Sequence, residues 1–234
     1  MNKIFALSAA LFSAAIITAC SKDDDNTSAT AQLMVVNASP NSSAVEVSAN
    51  GKVLVPTLAY PGNTGYQVVS AGTNNIKVGP AGTTTYYINT NMDLQAGSSY
   101  TVYLVDSATK AKGTTTKDDT TRPAAGKAKV RFLHLSPNLP AIDVKFTGSG
   151  TSSATFSGRN FNDVSATTSY ATFIEVDAGT YQPGVTAAGT STVITGIVLQ
   201  PLQFDSGKIY TVFAKGFLTG TGSVALGLQK VVHN

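Results

Sequence analysis

Ala31-Gln32-Leu33-Met34-Val35-Val36-Asn37-Ala38-Ser39-Pro40-Asn41 returns 97 residues later as Ala128-Lys129-Val130-Arg131-Phe132-Leu133-His134-Leu135-Ser136-Pro137-Asn138. The same offset carries Ala44-Val45-Glu46-Val47 onto Ala141-Ile142-Asp143-Val144. Farther on, Val69-Ser70-Ala71-Gly72-Thr73 matches Val176-Asp177-Ala178-Gly179-Thr180, 107 residues apart. Gly97 and Tyr100-Thr101-Val102 match Gly207 and Tyr210-Thr211-Val212, 110 residues apart. Landmarks kept in order and separated by loop-sized insertions mark an internal duplication.

Each copy reads as strands. Tyr170 to Val176, Tyr100 to Val105 and Val224 to Gln229 alternate with period two, which puts one face of each toward a core. The runs are rich in Val, Thr, Tyr and Phe and are broken by Gly, Pro, Asn and Ser clusters. No window after the leader holds a helical stripe. The expectation is an all-β chain of two tandem β-sandwich domains, immunoglobulin-like or transthyretin-like, behind a lipoprotein signal peptide. The boundaries expected are a signal peptide over residues 1–19 and an acidic tether over 20–30. A first repeat follows over 31–117, a linker over 118–126 and a second repeat over 127–234. A final short strand of the first copy is placed around Gly113 to Lys117. The polar linker predicts halves that fold independently, with little apolar area for a fixed interface.

The repeated segment His134-Leu135-Ser136-Pro137-Asn138-Leu139-Pro140-Ala141-Ile142-Asp143-Val144 resembles the H-A-S-P-x-x-P-A-V-D-V hallmark of domain-of-unknown-function family 4397 (DUF4397). The Val-x-Ala-Gly-Thr element and the Tyr-Thr-Val strand fit that family too, so the likeness covers most of residues 31–234 as two copies. The first copy departs from it, with Asn37 in place of the histidine and Ser43 in place of the second proline. The resemblance implies a secreted or surface-anchored bacterial β-sandwich protein with no assigned activity.

The amino terminus says where the protein is held. Met1-Asn2-Lys3, an uncharged stretch from Ile4 to Ile17 and then Thr18-Ala19-Cys20 have the order of a secretory signal. The stretch of 14 residues is shorter than the ~20 that a membrane-spanning helix needs. The ending Ile17-Thr18-Ala19-Cys20 resembles a lipobox, which implies lipidation of Cys20 and a membrane partner through that lipid. Each buried CH2 contributes ~0.8 kcal/mol, so two or three acyl chains make a lasting anchor. Cys20 is the chain's one cysteine, so lipidation leaves neither disulfide nor free thiol. Ser21-Lys22-Asp23-Asp24-Asp25 resembles an acidic surface-export signal; the other reading is a solvated tether. Together these predict an outer-membrane, surface-exposed lipoprotein of a Gram-negative bacterium that meets the lipoprotein-processing and export machinery.

The formal charge of +3 falls to 15 basic against 13 acidic residues once Lys3 leaves with the leader. That excess is too small and dispersed for a nucleic-acid surface. His134 could serve as ligand or general base with Asp143 orienting it, but reads better as a strand-end imidazole bonding the Ser-Pro turn. His233 is penultimate and expected to fray, and two lone histidines make no zinc site. Glu175, Asp177 and Asp205 are too scattered for a calcium cage, so no metal and no cofactor is expected. Ser39 and Ser136 lack a nucleophile elbow. Gly220-Thr221-Gly222-Ser223 imitates a dinucleotide loop, but a strand is expected from Val224 to Val231, so it reads as a hairpin turn.

Tyr60, Tyr66, Tyr86 and Tyr87 could stack on sugar rings, although ordinary strand aromatics are the simpler reading and tryptophan is absent. Adjacent Tyr86 and Tyr87 should point to opposite sides, one ring buried and one exposed. Asp106-Ser107-Ala108 and Asp119-Thr120-Thr121 resemble short O-glycosylation signals at Ser107 and Thr120. The functional expectation is a non-enzymatic binding or adhesion module for a glycan, matrix or partner protein. The alternative is a structural spacer without a ligand, and a weak third is a hydrolase working through His134 and Asp143.

Overall fold

The computed structural model describes residues 29–148 and 152–234. The leader, Cys20 and the acidic run Ser21 to Asp25 lie outside the described residues. The first half contains β1 (Thr30–Asn37), β2 (Val45–Ala49), β3 (Lys52–Leu58), β4 (Gln67–Ser70), β5 (Gly72–Pro80), β6 (Ile88–Leu94), β7 (Ser99–Val105) and β8 (Lys112–Asp118). The second contains β9 (Lys127–His134), β10 (Ile142–Thr147), β11 (Ser153–Arg159), β12 (Ile174–Asp177), β13 (Gly179–Ala187), β14 (Leu202–Phe204), β15 (Ile209–Lys215) and β16 (Gly227–Val232).

Each half is a sandwich of two four-stranded sheets. The first pairs β4-β1-β7-β8 with β3-β2-β5-β6, and the second pairs β12-β9-β15-β16 with β11-β10-β13-β14. The expected all-β tandem sandwich is therefore present. In both halves the first sheet has a parallel central pair: β1 lies along β7 with Val35 beside Val102, and β9 along β15 with Phe132 beside Val212. Each sandwich has its own core. Leu33, Val35, Val47, Ile76, Val78 and Leu104 fill the first; Phe132, Val144, Phe146, Val185, Phe204 and Val212 fill the second.

A third core joins the halves. Met34, Val36, Tyr103 and Val105, on the opposite face of β1 and β7, pack with Leu133, Phe213 and Val231 of the second half. The two parallel-paired sheets are thus inner layers, buried on both faces, as such sheets generally are. All seven residues of β7 and the first six of β15 are buried. This corrects two expectations. Tyr100 to Val105 does not alternate between core and solvent. The halves, moreover, do not lack a fixed apolar interface. Asp118, expected as the first linker residue, closes β8 and is 6% exposed.

Two further boundaries differ. Thr168–Ala171 forms a 3-10 turn, so the strand expected from Tyr170 begins at Ile174. Gly222–Val224 is another such turn, and β16 starts at Gly227, where the backbone again pairs with β15.

The inner strands of both halves run the same way. Lys129, near the start of β9, bonds Asp119, just past the end of β8. Thr114, near the start of β8, bonds Asn162, whose N–H donates to His134 at the end of β9. Gly97 N–H donates to Thr30 and Gly207 N–H to Lys127, while Asn234 reaches Gly207; the start of β1, the start of β9 and Asn234 share one pole. The Ser39-Pro40 and Ser136-Pro137 turns follow the far ends of β1 and β9, at the opposite pole.

Because the third core draws on both halves, residues 29–118 and 119–234 expressed separately should each aggregate or show poorly dispersed amide-proton spectra. Mixed during refolding, they should recover the dispersed spectrum of the intact chain. Two well-dispersed, monomeric spectra from the separate fragments would show that the shared core is dispensable.

Candidate functional site

The densest cluster of titratable side chains lies between the halves. Arg131 takes, in β9, the place that Met34 holds in β1, and its side chain is fully buried. Its Nη2 donates to Asp118 Oδ1 at 2.6 Å and to Tyr103 Oη at 3.0 Å, and its Nε to Thr211 Oγ1 at 2.7 Å. Phe173 lies under the guanidinium, 4.3 Å from ring centre to Cζ. Asp118 also accepts from Thr116 at Oδ1 and from Tyr66 and Thr101 at Oδ2.

His233, expected to fray, is instead buried and completes a ring of hydrogen bonds. Tyr66 Oη is 2.8 Å from His233 Nδ1, and Thr211 Oγ1 is 2.7 Å from His233 Nε2. Tyr66 spends its proton on Asp118, so it must accept from Nδ1–H, and Thr211 then donates to Nε2. The network thus assigns a neutral, Nδ1-protonated imidazole. Both arms of the ring run from Arg131, which only donates, to Asp118, which only accepts: one passes through Thr211, His233 and Tyr66, and the other is the direct Arg131–Asp118 bond. Burial holds the His233 pKa down at about 4. Sequence reading missed this cluster, although one signal was available: an arginine inside the apolar run Val130-Arg131-Phe132-Leu133. With all five side chains engaged with one another, the cluster fastens the halves rather than opening onto a ligand.

The sequence-derived candidates are dispersed. His134 is fully buried, with Nε2 3.2 Å from Pro140 O, and Phe161 stands edge-on to the ring at 6.5 Å. Burial lowers its pKa. Asp143 does not bond it; its two oxygens accept Gly158 N–H at 2.6 Å and Gly189 N–H at 2.9 Å, which holds its pKa below the usual range. The dyad posed for a hydrolase is therefore not assembled. Asn37, the counterpart of His134, accepts from Ser39 N–H and Ser42 Oγ and donates to Leu58 O.

The four tyrosines do not form one platform either. Tyr66 belongs to the ring between the halves. Tyr60 is half-buried with its hydroxyl oxygen enclosed, and its ring centre lies 5.8 Å from the Lys215 ammonium. Tyr86 is 42% exposed and carries Lys77 over its face at 5.0 Å, whereas Tyr87 packs against the first core. Ser107 is half-buried beside Asp106, and Thr120 is exposed. Among the described residues no group of three or more His, Cys, Asp or Glu side chains could hold a metal ion.

A groove of about 480 Å³ crosses the outer sheet of the second half, over β11, β10 and β13. Its outward row runs Thr155, Lys145, Gly184, with Thr147 and Gln182 paired on one side and Asp143 and Thr186 on the other. Gly184 lies in the middle of β13 and supplies no side chain. No sequence argument singled it out, because Pro183-Gly184 carries the composition of a turn.

Two fused eight-stranded sandwiches with buried inner sheets define the class: an all-β protein built by duplication of one unit. The chain belongs to the family described as "Domain of unknown function (DUF4397)", which matches residues 31–145, from β1 into β10. No curated protein matches the chain. Among solved structures, the Bacillus anthracis TIE protein is similar at 11% identity and a TM-score of 0.23, over 80% of this chain and 33% of that one. A leucine-rich repeat protein from Bacteroides thetaiotaomicron is similar at 11% identity and a TM-score of 0.21, over 78% and 25%. A streptococcal virulence factor, titled for alpha-glucan binding, is similar at 12% identity and a TM-score of 0.24, over 78% and 91%. The chain spans about a third of the length of the first of these.

The buried ring generates two predictions. Arg131→Met, which installs the residue of the sister position, strands Asp118 and should destabilise the chain by ~3–5 kcal/mol. Asp118→Asn in that background should recover most of the loss in urea denaturation. An additive double variant would show that the two charges do not depend on each other.

The second concerns pH. An unfolded histidine takes a proton near pH 6.5, but folded His233 refuses it down to about 4. Stability should therefore fall as pH drops through that window, by up to ~3 kcal/mol from His233, with buried His134 acting in the same direction. His233→Gln should flatten the decline. An unchanged slope would mean that His233 is not held neutral.

Proposed function

We propose that the chain is a non-enzymatic binding or adhesion module, lipidated at Cys20 and held on the outer membrane of a Gram-negative bacterium. It would meet a glycan, matrix or partner protein at the bacterial surface. The observation that carries the reading is the open groove over Gly184, on a sheet face that no other part of the described chain covers. Concave sites with a few convergent polar groups are where small ligands dock. The position of the tether supports it. Ala29 and Asn234 lie at one pole, so a lipid on Cys20 would leave both flanks and the Ser-Pro pole facing outward. Nine residues from Cys20 to Ala29 reach at most ~30 Å.

A spacer is the weaker reading for the same reason. Two sandwiches side by side, with their strands starting at one pole, add girth and almost no reach. Surface location rests on the acidic run Ser21 to Asp25, read as an export signal.

Cys20→Ser should abolish palmitate incorporation and release the protein from the membrane fraction; continued labelling would overturn lipid anchoring. Alanines at Asp23, Asp24 and Asp25 should cut protease accessibility on intact cells, and unchanged accessibility would reduce the run to a tether. For binding itself, a glycan array and a pull-down with the purified full mature chain should return a saturable ligand. Retention of nothing above background in both would leave the module reading without support.

A further inference from the structure

We propose that the groove over Gly184 is a saccharide site whose ligand carries a carboxylate, a uronic or sialic acid unit seated at Lys145; this deepens the binding reading above and rests on it. The first argument is the glycine. Gly184 has no positive φ, and a Cβ built on it would meet only Lys145 O, at 3.9 Å. Neither backbone conformation nor crowding requires glycine there. A glycine inside a strand costs stability, and close approach of a ligand is one of the reasons a strand carries one.

The second argument is the sister sheet. Lys77 occupies the position 107 residues before Gly184, opposite Ser48 as Gly184 stands opposite Lys145. Lys77 lies across its sheet onto Tyr86, and its neighbour Asn75 donates to Asn89 and Asn91. That face spends its polar groups on itself. In the second half the equivalent space is open, and its polar groups are unspent. Lys145, Thr147, Thr155 and Gln182 make no side-chain hydrogen bond or ion pair among the described residues.

Charge selects the ligand. Lys145 is the groove's cation, while both oxygens of Asp143 are engaged by the Gly158 and Gly189 amides. The hydroxyls of Thr147 and Thr155 and the amide of Gln182 match the hydroxyls of a sugar, and Pro183 offers it a small apolar surface. A carboxylate on that sugar would meet the groove's one ammonium, which has no partner among the described residues, in a charge-assisted bond stronger than a neutral one.

The test uses the full mature chain in titration calorimetry. The probes are tetragalacturonate and 3′-sialyllactose, with maltotetraose and lactose as neutral controls; the two acidic probes separate a uronate from a sialate. One acidic probe should bind at least tenfold more tightly than its neutral control and weaken as salt rises. Gly184→Thr fills the groove with a strand-favouring residue. It should lower affinity at least tenfold while leaving the melting temperature equal or higher, and Lys145→Ala should lose the preference for acid. Equal binding of neutral and acidic probes overturns the carboxylate. Undiminished binding by Gly184→Thr overturns the groove but leaves a binding module whose site is elsewhere. No binding of any probe overturns the saccharide site, and the array and pull-down then decide the wider reading separately.

Discussion

The inner sheets have no face to give to water. β1 beside β7 and β9 beside β15 are parallel pairs in which successive residues point into two different cores, Leu33 and Val35 into one and Met34 and Val36 into the other. A sandwich ending on such a sheet would expose a continuous apolar surface, and an apolar surface of that extent is covered in a stable protein. The duplication supplies the cover. Each half conceals the other's second face, so the molecule stacks four sheets as outer, inner, inner, outer. The linker, which read as a flexible joint, spans a contact that packing has already fixed.

A duplicated interface begins as self-complementary, like that of a symmetric dimer, and this one has diverged into a complementary pair. Met34 holds in the first half the place that Arg131 holds in the second. Tyr66 has Phe173 as its counterpart, Tyr103 has Phe213, and Asp118, across from Ser99, has His233 beside Ile209. Two copies of the second half would bury guanidiniums with no carboxylate to meet them; two copies of the first would bury carboxylates with no guanidinium. The mixed pair instead closes a ring in which every donor has an acceptor. A buried ion pair of this kind is weak evidence for added stability, but it penalises wrong partners heavily.

What the sequence made legible follows this layering. The landmarks at Ser39-Pro40, Gly72 and Gly97 recur because turns demand particular backbone shapes, and shape survives duplication. Outer strands such as β10 alternate as expected, with Ile142, Val144 and Phe146 inward and Lys145 and Thr147 outward. The inner strands do not, and the unbroken run Val102-Tyr103-Leu104-Val105 was the sign of burial on both faces. The ring was hidden for another reason. Tyr66, Asp118, Arg131, Thr211 and His233 are far apart in the chain, and only the docking of the halves gathers them. His134 and Asp143, conspicuous in a motif, turn out to be engaged in local backbone bonds.

The layering also explains where the halves were free to differ in chemistry. An inner-sheet residue touches two cores or a core and the ring, so each change there must be matched by another. An outward residue of an outer sheet touches only its cross-strand neighbours, and surface substitutions of that sort usually alter stability by within about 0.5 kcal/mol. The first outer sheet has used that freedom to knit Asn75, Asn89 and Asn91 together and to lay Lys77 on Tyr86. The second has left Gly184 bare, with the exposed Lys145 as its cross-strand partner. Filling the space would cost the fold nothing that its geometry reveals, so the opening at Gly184 is a property of the surface, set apart from the constraints that hold the molecule together.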